Sequence, residues 1–106
     1  MTLQEHEGPI DAQIVWLLVS ALPSSWRSAQ LEIEFEPQPD GSEGFVHRIR
    51  SPEGHREIVS PPDELYTITF NLYDLFLGAG RPWKRVKYLV TAKEGTDWDY
   101  RVTFEY

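Results

Sequence analysis

The sequence predicts an α+β domain in which two helices cover one face of an antiparallel sheet of four or five strands, ordered α-β-β-(β)-α-β-β. Two observations predict the sheet: residues 98–106 and 31–36 alternate strictly between large β-forming and charged side chains. A third is that proline-bounded segments with apolar residues at helical spacing precede each pair of strands. The 106 residues contain no internal repeat or linker, so we predict a single domain, 1–106.

The first helix is predicted over Ile10–Leu22. Pro9 suits the first helical position, and Pro23 cannot continue a helix. Residues 1–8, which are polar and acidic, are expected to form a flexible tail. The apolar stripe of the predicted helix that faces the core consists of Ile10, Ile14, Leu17, Leu18 and Ala21.

A hairpin follows the first helix. The strand Leu31–Glu36 and its partner Phe45–Arg50 are separated by a turn that contains Pro39-Asp40-Gly41. A second turn, residues 51–54, leads into a short extended piece, Arg56–Val59, which is the predicted fifth strand.

The second helix is predicted to begin at Ser60-Pro61-Pro62-Asp63, with Ser60 as its cap, and to continue to about Leu77. The glycines at 78 and 80 are typical of a helix end. The final hairpin pairs Lys84–Ala92 with Trp98–Tyr106 across the connection 93–97.

Composition narrows the function classes. The formal net charge is −7 and the pI about 4.8, so phosphate backbones and anionic membrane surfaces are poor partners and basic proteins are good ones. The chain has no cysteine, which excludes disulfides and thiolate metal sites and suits the cytoplasm. The start of the chain lacks the features of a signal peptide, and the longest apolar run, 14–19, is too short to span a bilayer.

No catalytic constellation, cofactor motif or metal motif is apparent, so we predict no catalytic, cofactor-binding or metal-binding residues. His47 alternates with Phe45 and Ile49 and is expected to be a structural histidine at the core. His55 lies between two glutamates in a turn, a weak arrangement for a metal ion. A small hydrolase that uses His47 or His55 is the least favoured function class.

The outer sheet face is predicted to carry a ladder of three carboxylates, Glu32, Glu34 and Glu36. In one interpretation Arg48 and Arg50 on the neighbouring strand partly match this ladder and stabilise the sheet. In the other, the ladder is an acidic footprint for a basic protein partner. The sequence leaves both open.

The second helix has an apolar surface nearly twice as wide as an ordinary amphipathic helix needs. Beside its inner side chains it carries a second stripe, consisting of Tyr66, Phe70, Tyr73 and Leu77. Either this stripe packs on the first helix, where Trp16 and Val19 are likewise surplus, or it is an exposed patch for dimerisation or partner docking.

Three sequence features resemble the YezG-type immunity proteins, which are antitoxins of bacterial polymorphic toxin systems. They are Leu22-Pro-Ser-Ser-Trp26 leading into an acidic strand, Arg81-Pro-Trp83 before the last hairpin, and the aromatic strand Tyr100–Tyr106. The resemblance covers about residues 10–106 as an arrangement of elements. It implies a non-enzymatic, cytoplasmic protein that neutralises a cognate toxin, often a nuclease.

The toxin of such a protein is basic because it holds nucleic acid, so an acidic inhibitor is attracted to it. We therefore predict a partner-binding surface of seven carboxylates, with the last two beside the others: Glu32, Glu34, Glu36, Asp40, Glu43, Asp97 and Asp99. The alternative is a homodimeric or adaptor module whose partner meets the second stripe, Tyr66, Phe70, Tyr73 and Leu77.

Overall fold

The computed structural model of the protein describes residues 3–94 and 97–106. The elements are helices α1 (Leu3–Ala21) and α2 (Asp63–Gly78) and strands β1 (Ser28–Phe35), β2 (Phe45–Arg50), β3 (Arg85–Ala92) and β4 (Trp98–Glu105). The strands form one antiparallel four-stranded sheet in the order β2-β1-β3-β4. The predicted α+β class and the order α-β-β-α-β-β are confirmed.

One sheet face is apolar and lies under the helices. The strand residues Leu31, Ile33, Val86, Tyr88 and Val90 are fully buried there. The two helices pack against each other and contribute the remaining centre of the core, which includes Ile14, Leu18, Leu65, Leu72 and Phe76. The alternation of the strands therefore sends their charged side chains to the opposite face, which we call the open face.

The segment that joins β2 to α2, residues 51–62, is held without strand pairing. Glu53 Oε1 accepts hydrogen bonds from the backbone N–H groups of Arg27, at 2.7 Å, and Ser28, at 2.9 Å. The His55 ring stacks on Trp26, with ring centroids 5.6 Å apart. Because these contacts replace a ladder, the predicted fifth strand over Arg56–Val59 is not confirmed.

Helix α1 begins at Leu3, so the predicted start at Ile10 is wrong and residues 3–8, predicted as a tail, are its first turns. Pro9 lies inside the helix, where a proline costs about 3 kcal/mol because it loses a backbone hydrogen bond and clashes with the preceding turn. Tertiary contacts offset that cost: Leu3 packs against the core, and the buried Asp11 carboxylate accepts a 2.6 Å hydrogen bond from the Tyr88 hydroxyl.

Candidate protein-binding surfaces

The open face is organised in rows because the strand register sets outward side chains opposite one another. One row is Val46, Glu34, Arg85 and Glu105; the next is Arg48, Glu32, Lys87 and Thr103. A third is Arg50, Gln30, Leu89 and Arg101. Cations outnumber carboxylates on these rows, so the open face is not an acidic surface even though the chain as a whole is acidic.

The glutamates of β1 are neutralised by arginines on both neighbouring strands. Arg85 Nη2 donates to Glu34 at 2.9 Å, and its Nη1 donates to Glu105 at 2.6 Å. Arg48 Nη1 donates to Glu32 at 3.1 Å. The hydrogen bond from Arg85 is the main cause that holds the pKa of Glu34 below its ordinary value.

This geometry agrees with the interpretation in which arginines pair with the glutamate ladder and stabilise the sheet, except that one of the arginines is different. Arg48 pairs as predicted, but Arg50 lies opposite Gln30 and makes no ion pair within the described residues. Arg85 takes its place, because β1 is a central strand that also pairs with β3.

The prediction that Asp97 and Asp99 lie beside the other carboxylates is wrong. The register places Asp99 opposite Thr91, which in turn pairs with Ser28 at the first residue of β1. Glu34 lies six residues further along β1. At about 3.3 Å per residue the two carboxylates are roughly 20 Å apart along the strand. Asp99 is moreover paired with Lys93, at 2.8 Å.

The remaining predicted carboxylates lie at the hairpin between β1 and β2. Glu36, Asp40 and Glu43 are exposed and form no ion pair within the described part of the chain. A fourth carboxylate, Asp74 of α2, was missed by the sequence reasoning. Burial is the largest cause that raises the pKa of the Tyr73 hydroxyl, and the negative charges of Glu43 and Asp74 raise it further. We call Glu36, Asp40, Glu43 and Asp74 the acidic tip.

The acidic tip is built on a hydrogen-bonded turn. The Glu36 and Gln38 backbone N–H groups donate to the carbonyls of Gly44 (2.7 Å) and Ser42 (2.9 Å). Asp40 accepts from both the backbone N–H and the hydroxyl of Ser42, at 2.9 and 2.6 Å, which lowers the pKa of Asp40. The turn needs Gly41 at a φ of 86°. The carboxylates are thus presented by an ordered loop.

The second stripe of α2 packs over β2, so the prediction that it packs on the first helix is wrong. Tyr73 is only 7% exposed and stacks on Phe35 with centroids 4.8 Å apart. Phe70 meets Phe45 edge to face at 4.9 Å, and Tyr66 meets His47 at 4.4 Å. Tyr66, Phe70 and Leu77 nevertheless keep 38–46% of their surface exposed.

An apolar surface lies on the other side of the molecule, where α1 passes β4. Trp16 is 68% exposed, and a groove of about 380 Å³ separates it from β4. The groove is lined mainly by Val15, Val19, Trp98 and Tyr100. Only the surplus of Trp16 and Val19 on the outer side of α1 indicated this surface in the sequence.

The histidine of β2 has a structural environment, as predicted. His47 Nε2 lies 2.8 Å from Thr69 Oγ1, whose hydroxyl donates to the Leu65 carbonyl at 2.8 Å. The Thr69 oxygen is therefore the acceptor, and His47 donates from Nε2. Burial lowers the pKa of His47 from 6.5 to about 4. Among the described residues, no group of His, Cys, Asp and Glu side chains is arranged to hold a metal ion.

A carboxyl pair on α1, formed by half-buried Glu7 and buried Asp11, escaped the sequence reasoning because residues 1–8 were predicted to form a tail. Burial, followed by a hydrogen bond to Asp11 and the charge of Asp11, raises the pKa of Glu7 to about 8. The raised pKa favours the protonated form of Glu7, which shares its proton with Asp11; Asp11 also accepts a hydrogen bond from the Tyr88 hydroxyl. The pair joins α1 to the centre of the sheet.

A comparison with models of known protein families finds no match, and a comparison with curated proteins finds none either. Neither helix of the described residues combines the length and the apolar character that crossing a membrane requires.

Proposed function

We propose that this protein is a cytoplasmic immunity protein, similar to the YezG type, that neutralises a basic, nuclease-type toxin domain by binding it. The protein itself performs no catalysis. The observation that carries the proposal is the contrast in charge pairing: carboxylates of the acidic tip have no cationic partner within the described residues, whereas those of β1 on the open face do.

Free carboxylates suit this task better than paired ones. A carboxylate that must give up an arginine before it binds a lysine or arginine of a partner gains little net interaction free energy. Glu36, Glu43 and Asp74 lose no such partner, so their charge attracts the basic groove with which a nuclease holds phosphates.

The ordered turn adds to the affinity. Side chains on a loop that is already hydrogen-bonded lose less conformational entropy on binding than those on a loose loop. Asp40 contributes mainly by holding this turn through Ser42, and Glu36, Glu43 and Asp74 contribute charge.

The test is a rescue experiment in bacteria. The C-terminal domain of the protein encoded by the adjacent upstream gene is expressed alone and then together with this protein. We expect growth arrest without the protein and growth with it. The double variant Glu36→Lys/Glu43→Lys should lose the rescue, because both side chains lack hydrogen bonds and ion pairs within the described residues and their replacement leaves the turn intact.

Glu94→Lys/Asp97→Lys is the matched control. It changes the net charge by the same amount, also at exposed carboxylates of a turn, but at the opposite end of the sheet. It should rescue as well as the natural protein. Loss of rescue by this control alone would move the binding surface to the β3–β4 turn, and equal rescue by all variants would contradict a role for the acidic tip.

A further inference from the structure

The sheet has two edges, and they differ in what they could pair with. Within the described residues, β4 pairs with β3 on one side and with no strand on the other. It is eight residues long and contains no proline. Such an edge offers unpaired backbone N–H and C=O groups to another strand unless side chains discourage it.

At the β2 edge, like charges disfavour pairing with a second copy of the same strand. Its outward side chains are Val46, Arg48 and Arg50, so two β2 strands in antiparallel contact would bring arginine near arginine. The outward side chains of β4 alternate in sign instead: Asp99 and Arg101 are followed by Thr103 and Glu105. An antiparallel copy of β4 can therefore face it with opposite charges.

The helix layer also leaves apolar side chains exposed beside β4. Trp16, which is 68% exposed, and the groove between α1 and β4 lie at this edge of the molecule. Tyr100 lines the same groove and is itself 44% exposed. A two-fold axis perpendicular to the sheet keeps both helix layers on one side, so the Trp16 of each copy would approach the other copy over the axis.

We propose that two copies of this protein associate through their β4 edges in antiparallel orientation, with the two-fold axis at Tyr100, to form one continuous sheet. This register places Asp99 opposite Arg101 of the partner subunit, twice by symmetry, and Trp98 opposite Val102 of the partner subunit. The surface is distinct from the α2 stripe, and the proposal does not depend on the identity of a toxin.

A register centred on Thr103 would also set opposite charges against each other, Arg101 against Glu105 of the partner subunit. In each register the carboxylate has a cation in its own copy: Lys93 holds Asp99 at 2.8 Å, and Arg85 holds Glu105 at 2.6 Å. The Asp99–Lys93 pair is the more exposed, with side chains 64% and 54% exposed against 49% and 36%, so exchanging it costs less. The Thr103 register would also use Tyr106, whose ring lies under the Arg81 guanidinium at 5.1 Å. Of the two registers, the one centred on Tyr100 brings the Trp16 groove to the axis.

The test is analytical ultracentrifugation of the purified full chain from micromolar to submillimolar concentration. We expect a monomer–dimer equilibrium. Arg101→Asp should weaken it by about tenfold or more, because like charges then face each other twice. The charge swap Asp99→Arg/Arg101→Asp should restore it. Trp16→Ala should also weaken it by about tenfold. Arg50→Asp, at the equivalent outward position of the β2 edge, is the control and should leave the dimer unchanged.

Several results would overturn the proposal. One is a monomer at every concentration. Another is a dimer that withstands both Arg101→Asp and Trp16→Ala. A dimer that dissociates on Arg50→Asp, or on Tyr66→Ala with Phe70→Ala, would place the contact at β2 or α2. Circular dichroism melting of each variant confirms that it is folded before its association is interpreted.

Discussion

The open face and the acidic tip both carry glutamates of the same hairpin, yet the two regions differ in charge. On the open face Glu32 and Glu34 each meet an arginine from a neighbouring strand. At the tip Glu36 and Glu43 lie beyond the last strand pairs, and neither forms an ion pair within the described residues. Alternation therefore predicts which way carboxylates point, whereas the order of the strands decides whether they remain available to a partner.

The largest effect is expected at the aromatic anchor under the tip. Phe45 contacts Phe35, Phe70, Tyr73 and Trp83. Phe45→Ala should lower the free energy of unfolding by about 3 kcal/mol, measured by urea denaturation. Phe70→Ala is the control: it is 38% exposed and should cost about 1 kcal/mol. Equal costs would mean that the tip is not anchored through Phe45.

Acid should lower the free energy of unfolding through His47 of β2 before it protonates the carboxylates. His47 has a pKa of about 4 in the folded protein and 6.5 when unfolded, so the unfolded chain binds the proton first as pH falls. The free energy of unfolding should therefore decrease between pH 6.5 and 4, by about 2 kcal/mol after allowance for partial exposure.

His47→Gln keeps a donor for Thr69 and should flatten this part of the stability–pH curve. His6→Gln, on the exposed side of α1, should leave the curve as it is. If both variants follow the natural protein, the acid sensitivity originates elsewhere.

Removal of Arg85 should make carboxylates of the open face more available to a partner, as those of the acidic tip are. Arg85→Gln removes the arginine that donates to Glu34 and Glu105 and leaves Glu34 only the longer 3.9 Å ion pair with Arg48. The urea midpoint should therefore fall, by less at high salt, which screens the repulsion between carboxylates. Affinity for a basic partner should rise. Arg50→Gln, which removes an exposed cation that has no ion pair within the described residues, is the control for both readouts, and an identical response of the two variants would contradict the pairing scheme.

The smallest effect concerns carboxylates that pair with each other. The pKa of Glu7 is raised to about 8, so folding keeps a proton that the unfolded chain loses near pH 4.5. The free energy of unfolding should consequently fall as pH rises from 4.5 to 8. Glu7→Gln should remove this slope, with a gain at pH 8 of less than about 1 kcal/mol because Glu7 is partly exposed. An unchanged slope would contradict the shared proton.

Local pattern sufficed for the strands, since period-two alternation and turn residues fixed β1, β2, β3 and β4 to within a few residues. Local pattern failed where contacts between residues far apart in the sequence determine the structure. The pairing of Arg85 with Glu34 depends on β1 lying between β2 and β3. Asp74 joins the tip only because α2 packs over β2. The early start of α1 goes with contacts that its first turns make elsewhere: Leu3 packs against the core, and Glu7 bonds to Asp11, which the distant Tyr88 holds.

The most direct test of the account is the dissociation constant of the purified toxin domain for three forms of the protein, measured by isothermal titration calorimetry. We predict tight binding of the natural protein, about 100-fold weaker binding of Glu36→Lys/Glu43→Lys, and a change below about threefold for Glu94→Lys/Asp97→Lys. Equal affinities for all three forms, or a larger loss for the second variant, would contradict the proposal that the acidic tip binds the toxin.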